Sequence, residues 1–267
     1  MKINLPDYHI HTTLCNHAYG TMEEYVEKAI EKGITEMGFA EHMPVMPEPH
    51  LCMSYDDLPY YIERVLELRD KYKNYISIKL GAEMDMNLNR IDEIGKIIEK
   101  SDFDYVIGSI HYLDNWPFDQ KQYISVFEKS NLSKLYAKFF RTVIEAAKTG
   151  LYDITGHIDN LKRMGFHHPA DVKYFYDEAA AVLKEMNLTA ELNTSGYDYP
   201  AGEAYPSSDF LESMNRHGVP VTVGSDSHKP AHIGRHFEKA SEELLKAGYK
   251  EVAVFEKRKR SFVDINI

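Results

Sequence analysis

The sequence predicts an α/β fold in which seven parallel strands close into a barrel. Short apolar runs alternate with amphipathic segments along the 267 residues, and this alternation is typical of a parallel sheet covered on both faces. The residues best suited to bind a metal fall at or beside the C-terminal ends of these runs. In a barrel those ends meet at one mouth, whereas an open sheet would spread them apart. No linker interrupts the pattern, so we expect one domain over residues 1–267.

Seven segments qualify as strands because each is a short run rich in apolar or β-branched residues. In chain order they are Asp7–His11, Glu36–His42, Ile76–Asp85, Tyr105–Leu113, Asp153–Ile158, Thr189–Thr194 and Pro220–Ser225. We expect helices to follow these strands and to cover the outside of the barrel.

The intervening helices carry boundary signals. Thr21 and Glu24 have the spacing of a capping box, and Gly33 is placed to end the first helix. Ser133 is the expected cap of a third helix and Asp171 that of a fourth. The second helix shows only its apolar stripe, which consists of Ile91, Ile94, Ile97 and Ile98.

The composition excludes several classes of protein. A net charge of −11 argues against a general nucleic-acid surface, which needs a basic stripe. We interpret the one basic run, residues 257–260, as a solvated segment. No apolar run reaches the roughly 18 residues of a membrane span. The two cysteines, Cys15 and Cys52, do not make a disulfide framework, so we expect a cytoplasmic location without membrane or nucleic-acid partners.

Nine imidazoles and carboxylates form the candidate metal site. They share a position at or beside the strand ends: His9, His11, His17, His42, Glu83, His111, His157, Asp226 and His228. An HxH pair alone is a weak signal, and a lone histidine is more often structural. The prediction rests on the number of coincidences over more than 200 positions. Such ligands fit zinc, manganese or iron.

Two neighbouring features refine this site. Gly81 and Ala82 precede Glu83, and their small size leaves room for its carboxylate to bridge two ions. Cys15 lies between two of the histidines, but we interpret it as a bystander because histidines and acids already supply enough ligands.

In chain order, the motifs resemble those of the polymerase-and-histidinol-phosphatase (PHP) superfamily over almost the whole chain. The matching motifs are His9-x-His11, His17, Glu41-His42, Gly81-Ala82-Glu83, Gly108-Ser109-Ile110-His111, Gly156-His157 and Gly224-Ser225-Asp226-Ser227-His228. Further segments resemble the monofunctional histidinol-phosphate phosphatases. These are residues 111–119, residues 156–159 with Lys162 and Arg163, and residues 191–196 continuing to 202–207.

The resemblance implies a distorted seven-stranded (β/α)7 TIM-like barrel with three divalent ions (Zn, Mn or Fe) at its mouth. It implies these ligand sets: His9, His11, Glu83 and Asp226 for the first ion, Glu83, His111 and His157 for the second, and His17, His42 and His228 for the third. The implied activity is hydrolysis of L-histidinol phosphate to L-histidinol and phosphate in histidine biosynthesis.

We hypothesise that a hydroxide bridging the Glu83-linked ions attacks phosphorus in line, because two cations lower its pKa. Asp226 is then placed to relay a proton to the leaving alkoxide. His228 or a water is the alternative proton donor.

Four further residues are candidates for substrate binding. Arg163 and Lys162 would neutralise the phosphoryl oxygens, and the planar guanidinium suits bidentate contact. Glu203 would recognise the substrate's amino group, and Tyr205 lies on the same loop; loop packing is the alternative role for both. The related phosphatases carry a basic residue after Gly196, where this chain has residues 197–200 with Asp198. Asp198 either weakens phosphate binding or binds the substrate's ammonium group.

Other functions stay open at this stage. Another PHP phosphoesterase, acting on a different monoester, a nucleotide or a phosphodiester, would use the same ligands. A metal-dependent amidohydrolase also begins with HxH on a similar barrel, but such enzymes generally use one or two metals. That chemistry would leave His17, His42 and His228 without a role. We expect a small-molecule phosphate ester as substrate and a monomer or homodimer.

Overall fold

The computed structural model describes residues 5–265. Within that range the strands, in chain order, are β1 (Asp7–Ile10), β2 (Glu36–Phe39), β3 (Ser77–Asp85), β4 (Tyr105–Ser109), β5 (Tyr112–Leu113), β6 (Trp116–Pro117), β7 (Ile154–Thr155), β8 (Thr189–Asn193), β9 (Val221–Gly224), β10 (Glu251–Glu256) and β11 (Lys259–Asp264). The helices are α1 (Met22–Glu31), α2 (Leu58–Tyr72), α3 (Ile91–Glu99), α4 (Ile124–Lys129), α5 (Leu132–Ala147), α6 (Tyr174–Glu185), α7 (Ser208–His217) and α8 (Phe237–Lys246).

Seven parallel strands form the central sheet in the order β1-β2-β3-β4-β7-β8-β9. The two ends of the sheet meet just beyond β1 and β9. There the backbone amide of His11 donates to the carbonyl of Ser227 at 2.9 Å, and the amide of Ser227 donates to the carbonyl of His9 at 3.0 Å. These bonds nearly close the barrel. The predicted seven-stranded barrel is therefore confirmed, and each of the seven strands of the central sheet lies inside its predicted segment.

The helix boundaries confirm one predicted cap and correct two others. Thr21 and Glu24 form the capping box at the start of α1. Ser133 lies inside α5, whose cap is Asn131, so the prediction for Ser133 was wrong. Asp171 sits in a short 3-10 turn ahead of α6 and does not cap that helix. The two mispredicted caps bond to each other, because the Ser133 hydroxyl donates to the Asp171 carboxylate at 3.0 Å.

A C-terminal hairpin, β10 with β11, packs against the barrel. Phe255 of β10 joins an inner cluster with Tyr8 and Tyr105. The basic run at residues 257–260 spans the hairpin turn and the start of β11. Its Arg258 Nε lies 2.8 Å from Asp153 Oδ2, so the run is not merely a solvated segment. Within residues 5–265, none of the helices has the length and apolar character needed to cross a membrane.

Candidate metal centre

All nine candidate ligands lie in one cluster at the C-terminal mouth of the barrel. Glu83, inside β3, is at its centre, His9 lies inside β1, and the others lie beyond the ends of their strands. The atoms nearest the Glu83 carboxylate oxygens are His9 Nε2 at 3.2 Å, His11 Nε2 at 3.6 Å, His42 Nδ1 at 2.7 Å, His111 Nε2 at 3.5 Å and His157 Nε2 at 3.1 Å. The cluster extends through Asp226, which is 3.3 Å from His11, to His228 and His17, whose Nε2 atoms are 3.0 Å apart.

The cluster resolves into overlapping groups of three potential ligands. In each group the ligand atoms lie within 4.8 Å of one another. Three of these groups are His9, His11 and Asp226; His9, Glu83 and His157; and His17, His42 and His228. Shared members join the first two, whereas the third group is made of imidazoles only. The arrangement fits more than one cation.

The donor atoms at the centre of the cluster lack hydrogen bonds although other ligand atoms lie close to them. His9 Nε2, His11 Nε2 and Glu83 Oε2 are buried, and among residues 5–265 none of them forms a hydrogen bond of suitable geometry. A buried polar atom without a partner costs about 1–3 kcal/mol, so several at one point need an explanation. Cations between these atoms would satisfy them together. The residues present therefore fit divalent metal ions.

Three buried carboxylates orient the imidazoles from behind. Nδ1 of His9 lies 2.6 Å from Glu191, that of His11 3.2 Å from Glu41, and that of His111 3.3 Å from Asp85. Such contacts hold the proton on Nδ1 and point Nε2 toward a metal, which raises ligand basicity. Sequence reasoning assigned these carboxylates no role. Their signal was an acid within or just beyond an apolar strand, where a buried carboxylate needs a partner.

Cys15 contacts a candidate ligand through its backbone carbonyl, whereas its thiol is bonded elsewhere. Its carbonyl lies 2.8 Å from His17 Nδ1 and so positions that ring. Its thiol donates to the carbonyl of Thr12 at 3.1 Å, and burial raises the pKa of the thiol well above its ordinary value. Cys15 also groups with His11 and His228. The protonated thiol and its existing bond favour the bystander interpretation.

Backbone turns at two strand ends aim ligands into the centre. His157 and Asp226 have positive φ angles of 23° and 51°, which non-glycine residues rarely adopt and which often mark functional sites. The glycines nearby are needed for space. A Cβ on Gly156 would lie 2.2 Å from the hydroxyl of Ser109, and one on Gly224 would lie 2.1 Å from Glu191. The backbone therefore approaches its neighbours closely in a crowded centre.

The carboxylates and imidazoles shift one another's protonation. Burial opposes ionisation of Glu83 and Asp226, but the surrounding histidines outweigh it and hold the pKa of both carboxyls well below the ordinary range. Burial likewise disfavours protonated histidine, yet the nearby carboxylates raise the pKa of His11 and His111 to about 9. At His42 burial prevails and lowers the pKa to about 3. Cations entering this site must displace protons from some rings.

A cleft of about 590 Å³ opens above the cluster. Asp226, His228 and Arg163 all line it. The Arg163 guanidinium lies 3.8 Å from the centre of the Tyr199 ring and 3.5 Å from an Asp119 oxygen. Arg163 is therefore placed where a phosphate ester entering the cleft would reach it.

Lys162, Glu203 and Tyr205 do not line this cleft. The Lys162 ammonium is fully buried and lies 2.9 Å from Asp159, 2.9 Å from the carbonyl of Ala204 and 3.1 Å from Glu203. Three contacts occupy the three N–H groups of a lysine, so none is left for a phosphate. Glu203 is committed to Lys162, and the ring of Tyr205 is buried. The predicted substrate contacts of these residues need correction, because they hold the loop together.

Asp198 is also occupied, by an arginine and a histidine that lie far away in the sequence. Its carboxylate is 3.0 Å from Arg235 and 2.7 Å from His236. Arg235 additionally donates to the carbonyls of Ser225 and Asp226 at 2.8 and 2.9 Å, and its side chain lines the cleft. A basic group thus reaches the cleft from the loop after β9 instead of the loop after β8. Sequence reasoning missed Arg235 because 37 positions separate it from Asp198.

Comparison with known proteins places these features in a family. Residues 7–195 match the PHP domain family. A probable histidinol-phosphatase of Deinococcus radiodurans is 34% identical over 251 residues, which cover 93% of this chain and 95% of that protein. The histidinol-phosphatase of Lactococcus lactis is 28% identical over 255 residues, which cover 93% of each chain. The crystal structure of histidinol phosphate phosphatase from Lactococcus lactis, complexed with zinc, L-histidinol and phosphate, superposes with a TM-score of 0.82. That comparison covers 97% of this chain and 99% of the other at 26% identity.

Proposed function

Because this chain belongs to the PHP domain family, we propose that it hydrolyses L-histidinol phosphate to L-histidinol and phosphate. It is a phosphatase of the hydrolase class. The observation that carries the proposal is the cluster of nine ligand side chains beside a cleft that Arg163 also lines. The similar Lactococcus lactis enzyme was crystallised with zinc, L-histidinol and phosphate, which are the metal and the two products of this reaction.

We propose that three divalent ions occupy the cluster, which the family resemblance implies and which the overlapping groups of potential ligands can accommodate. One would bind His9, His11, Glu83 and Asp226, a second Glu83, His111 and His157, and a third His17, His42 and His228. Bound ions would supply an acidified water as nucleophile and positive charge for the phosphoryl oxygens. Zinc is the first choice because the similar structure contains it, and manganese and iron suit the same ligands.

The chain's own side chains supply the remaining chemistry. Asp226 lies in the wall of the cleft, 3.3 Å from His11 and 3.4 Å from His228, so it is placed to pass a proton to the leaving oxygen. His228 shares that wall and is the alternative donor. Arg163 would bind two phosphoryl oxygens through its planar fork. Glu83, at the centre of the cluster, holds the ligand rings together.

We also propose a cytoplasmic location and activity as a monomer or homodimer. Both cysteines are free, which agrees with a reducing compartment. The nine ligands and the arginines of the cleft all come from one chain, so a homodimer is not required for a complete site.

The test is phosphate release from L-histidinol phosphate beside a panel of other phosphomonoesters, phosphodiesters and amides, with the metal content of the same sample measured. Selective turnover of L-histidinol phosphate with about three metals per chain would support the proposal. Metal-loaded protein that prefers a diester or another monoester would reject this substrate. One or two metals with turnover of amides would indicate amidohydrolase chemistry instead.

A further inference from the structure

We infer that Glu48 binds the ammonium group of the substrate and so selects phosphate monoesters that carry one. The inference rests on the proposed function and names a specificity residue within it. Glu48 lies in the segment between β2 and α2 and lines the same cleft as Arg163 and Asp226. Its side chain is half-buried.

Two neutral donors hold the Glu48 carboxylate in place. The Tyr112 hydroxyl donates to Glu48 Oε2 at 2.7 Å, and the Gln120 side-chain amide donates to the same oxygen at 2.8 Å. Within residues 5–265, Glu48 Oε1 accepts no hydrogen bond, and no lysine, arginine or histidine lies within ion-pair distance of this carboxylate. One oxygen is therefore fixed while the other stays available to a donor that enters the cleft.

The other carboxylates of the cleft are already matched to positive groups. Asp119 lies 3.5 Å from Arg163, and Asp226 lies 3.3 Å from His11. Glu48 is thus the unpaired negative charge among the cleft-lining side chains that the structure describes. Arginines and bound cations suit the phosphate end of a substrate, whereas Glu48 suits a positive end. Such a cleft complements a molecule with a charge of each sign.

The two residues that donate hydrogen bonds to Glu48 are neighbours of the metal cluster and of the partner of Arg163. Tyr112 follows the candidate ligand His111, and Gln120 follows Asp119, the partner of Arg163. A carboxylate held by two hydrogen bonds loses little freedom when a ligand binds, which favours recognition. Glu203, which the sequence suggested for this role, is paired with Lys162 outside the cleft.

The experiment compares two substrates that differ only in the ammonium group. L-histidinol phosphate and its deamino analogue, 3-(imidazol-4-yl)propyl phosphate, are assayed with the wild type and with Glu48→Gln. The amide keeps the size of the side chain and an acceptor for Tyr112 and Gln120. We expect kcat/KM for L-histidinol phosphate to fall roughly ten- to hundredfold, as for loss of a hydrogen bond to a charged group. The value for the analogue should change by less than about twofold, because only the ammonium contact is lost.

A binding measurement adds a readout that is independent of turnover. The affinity for L-histidinol, measured by calorimetry, should fall in Glu48→Gln by a similar factor, whereas 3-(imidazol-4-yl)propanol should bind both proteins equally. Glu63→Gln makes the same chemical change on an exposed position of α2 and serves as the matched control. This control should leave kcat/KM for both substrates and the affinity for both alcohols unchanged.

Several outcomes would overturn the assignment of Glu48. If kcat/KM falls equally for both substrates, Glu48 only holds its own segment in place. If kcat/KM falls for neither substrate, Glu48 has no role in recognition. If the wild type does not hydrolyse L-histidinol phosphate, the proposed function fails, and the pair phosphoethanolamine and ethyl phosphate decides the role of Glu48. A wild-type preference for the ammonium-bearing member that disappears in Glu48→Gln would then support Glu48, and its absence would overturn it.

Discussion

Glu191→Gln should weaken metal binding although Glu191 is not itself a candidate ligand. The Glu191 carboxylate is buried on β8 and faces two ligand residues at once. One oxygen lies 2.6 Å from His9 Nδ1, and the other accepts hydrogen bonds from the backbone amide of His157 at 2.8 Å and from Asn193 at 3.1 Å. All three contacts require an acceptor when Nδ1 of His9 carries a proton.

Glutamine retains only one acceptor oxygen, so either orientation of its amide breaks part of this arrangement. If the NH2 group faces His9, Nδ1 must accept and the proton moves to Nε2, which then cannot bind a metal. If the NH2 group faces His157, two donors meet at a buried point. Loss of such a supporting carboxylate typically lowers metal affinity 10- to 100-fold. That range corresponds to about 1.4–2.7 kcal/mol of binding free energy.

The assay is competition between the protein and a chromophoric zinc chelator at fixed pH, with Glu63→Gln as the control for the same change on the surface. Thermal unfolding of the metal-free proteins shows whether the variant has merely lost its fold. An affinity that is unchanged, or tighter because Glu191 no longer stabilises a proton on His9, would refute the reasoning.

Two other predictions concern the phosphate contact and the protons of the site. Arg163→Ala should raise KM roughly tenfold, about 1.4 kcal/mol, because the cleft loses a bidentate phosphate donor. Arg163→Lys should recover part of the lost affinity. An unaltered KM in steady-state assays would remove Arg163 from the site. Metal binding should release roughly two protons per chain at pH 7.5. The reason is that the metal-free protein holds protons on His11 and His111, whose pKa is about 9. The number of protons released should decrease as the pH rises through 9. Calorimetry in two buffers of different ionisation enthalpy measures this number. Metal binding that is independent of pH and releases no protons would contradict the prediction.

The strands were predictable because each needed only its own residues. A parallel strand buried on both faces is a short apolar run, and Tyr105–Ser109 or Val221–Gly224 shows this without reference to the rest of the chain. Caps were less certain from sequence. Ser133 and Asp171 both have cap chemistry, but their side chains meet each other across two segments, which no local pattern records. The C-terminal hairpin was missed for a related reason, because its packing depends on Tyr8 and Tyr105.

The candidate ligands were visible for a similar local reason. His11, His42 and Asp226 lie just beyond the ends of apolar strands, and a polar group buried at such a position needs a partner. Their partners were not visible in the same way. Glu191 reaches His9 across 182 positions, and Arg235 reaches Asp198 across 37. Each pair arises only where the barrel closes and its loops gather.

The sequence by itself determined that this protein forms a parallel α/β barrel and that imidazoles and carboxylates lie together at its mouth. Both could be predicted because an apolar strand and the polar residue near its end are properties of a short segment. Only the tertiary structure decided which charges stay free. It buried Lys162 against Asp159 and Glu203, paired Asp198 with Arg235, and left Glu48 open to the cleft. The physical reason is that burial and ion pairing depend on distances between segments far apart in the chain, and those distances exist only once the barrel has closed.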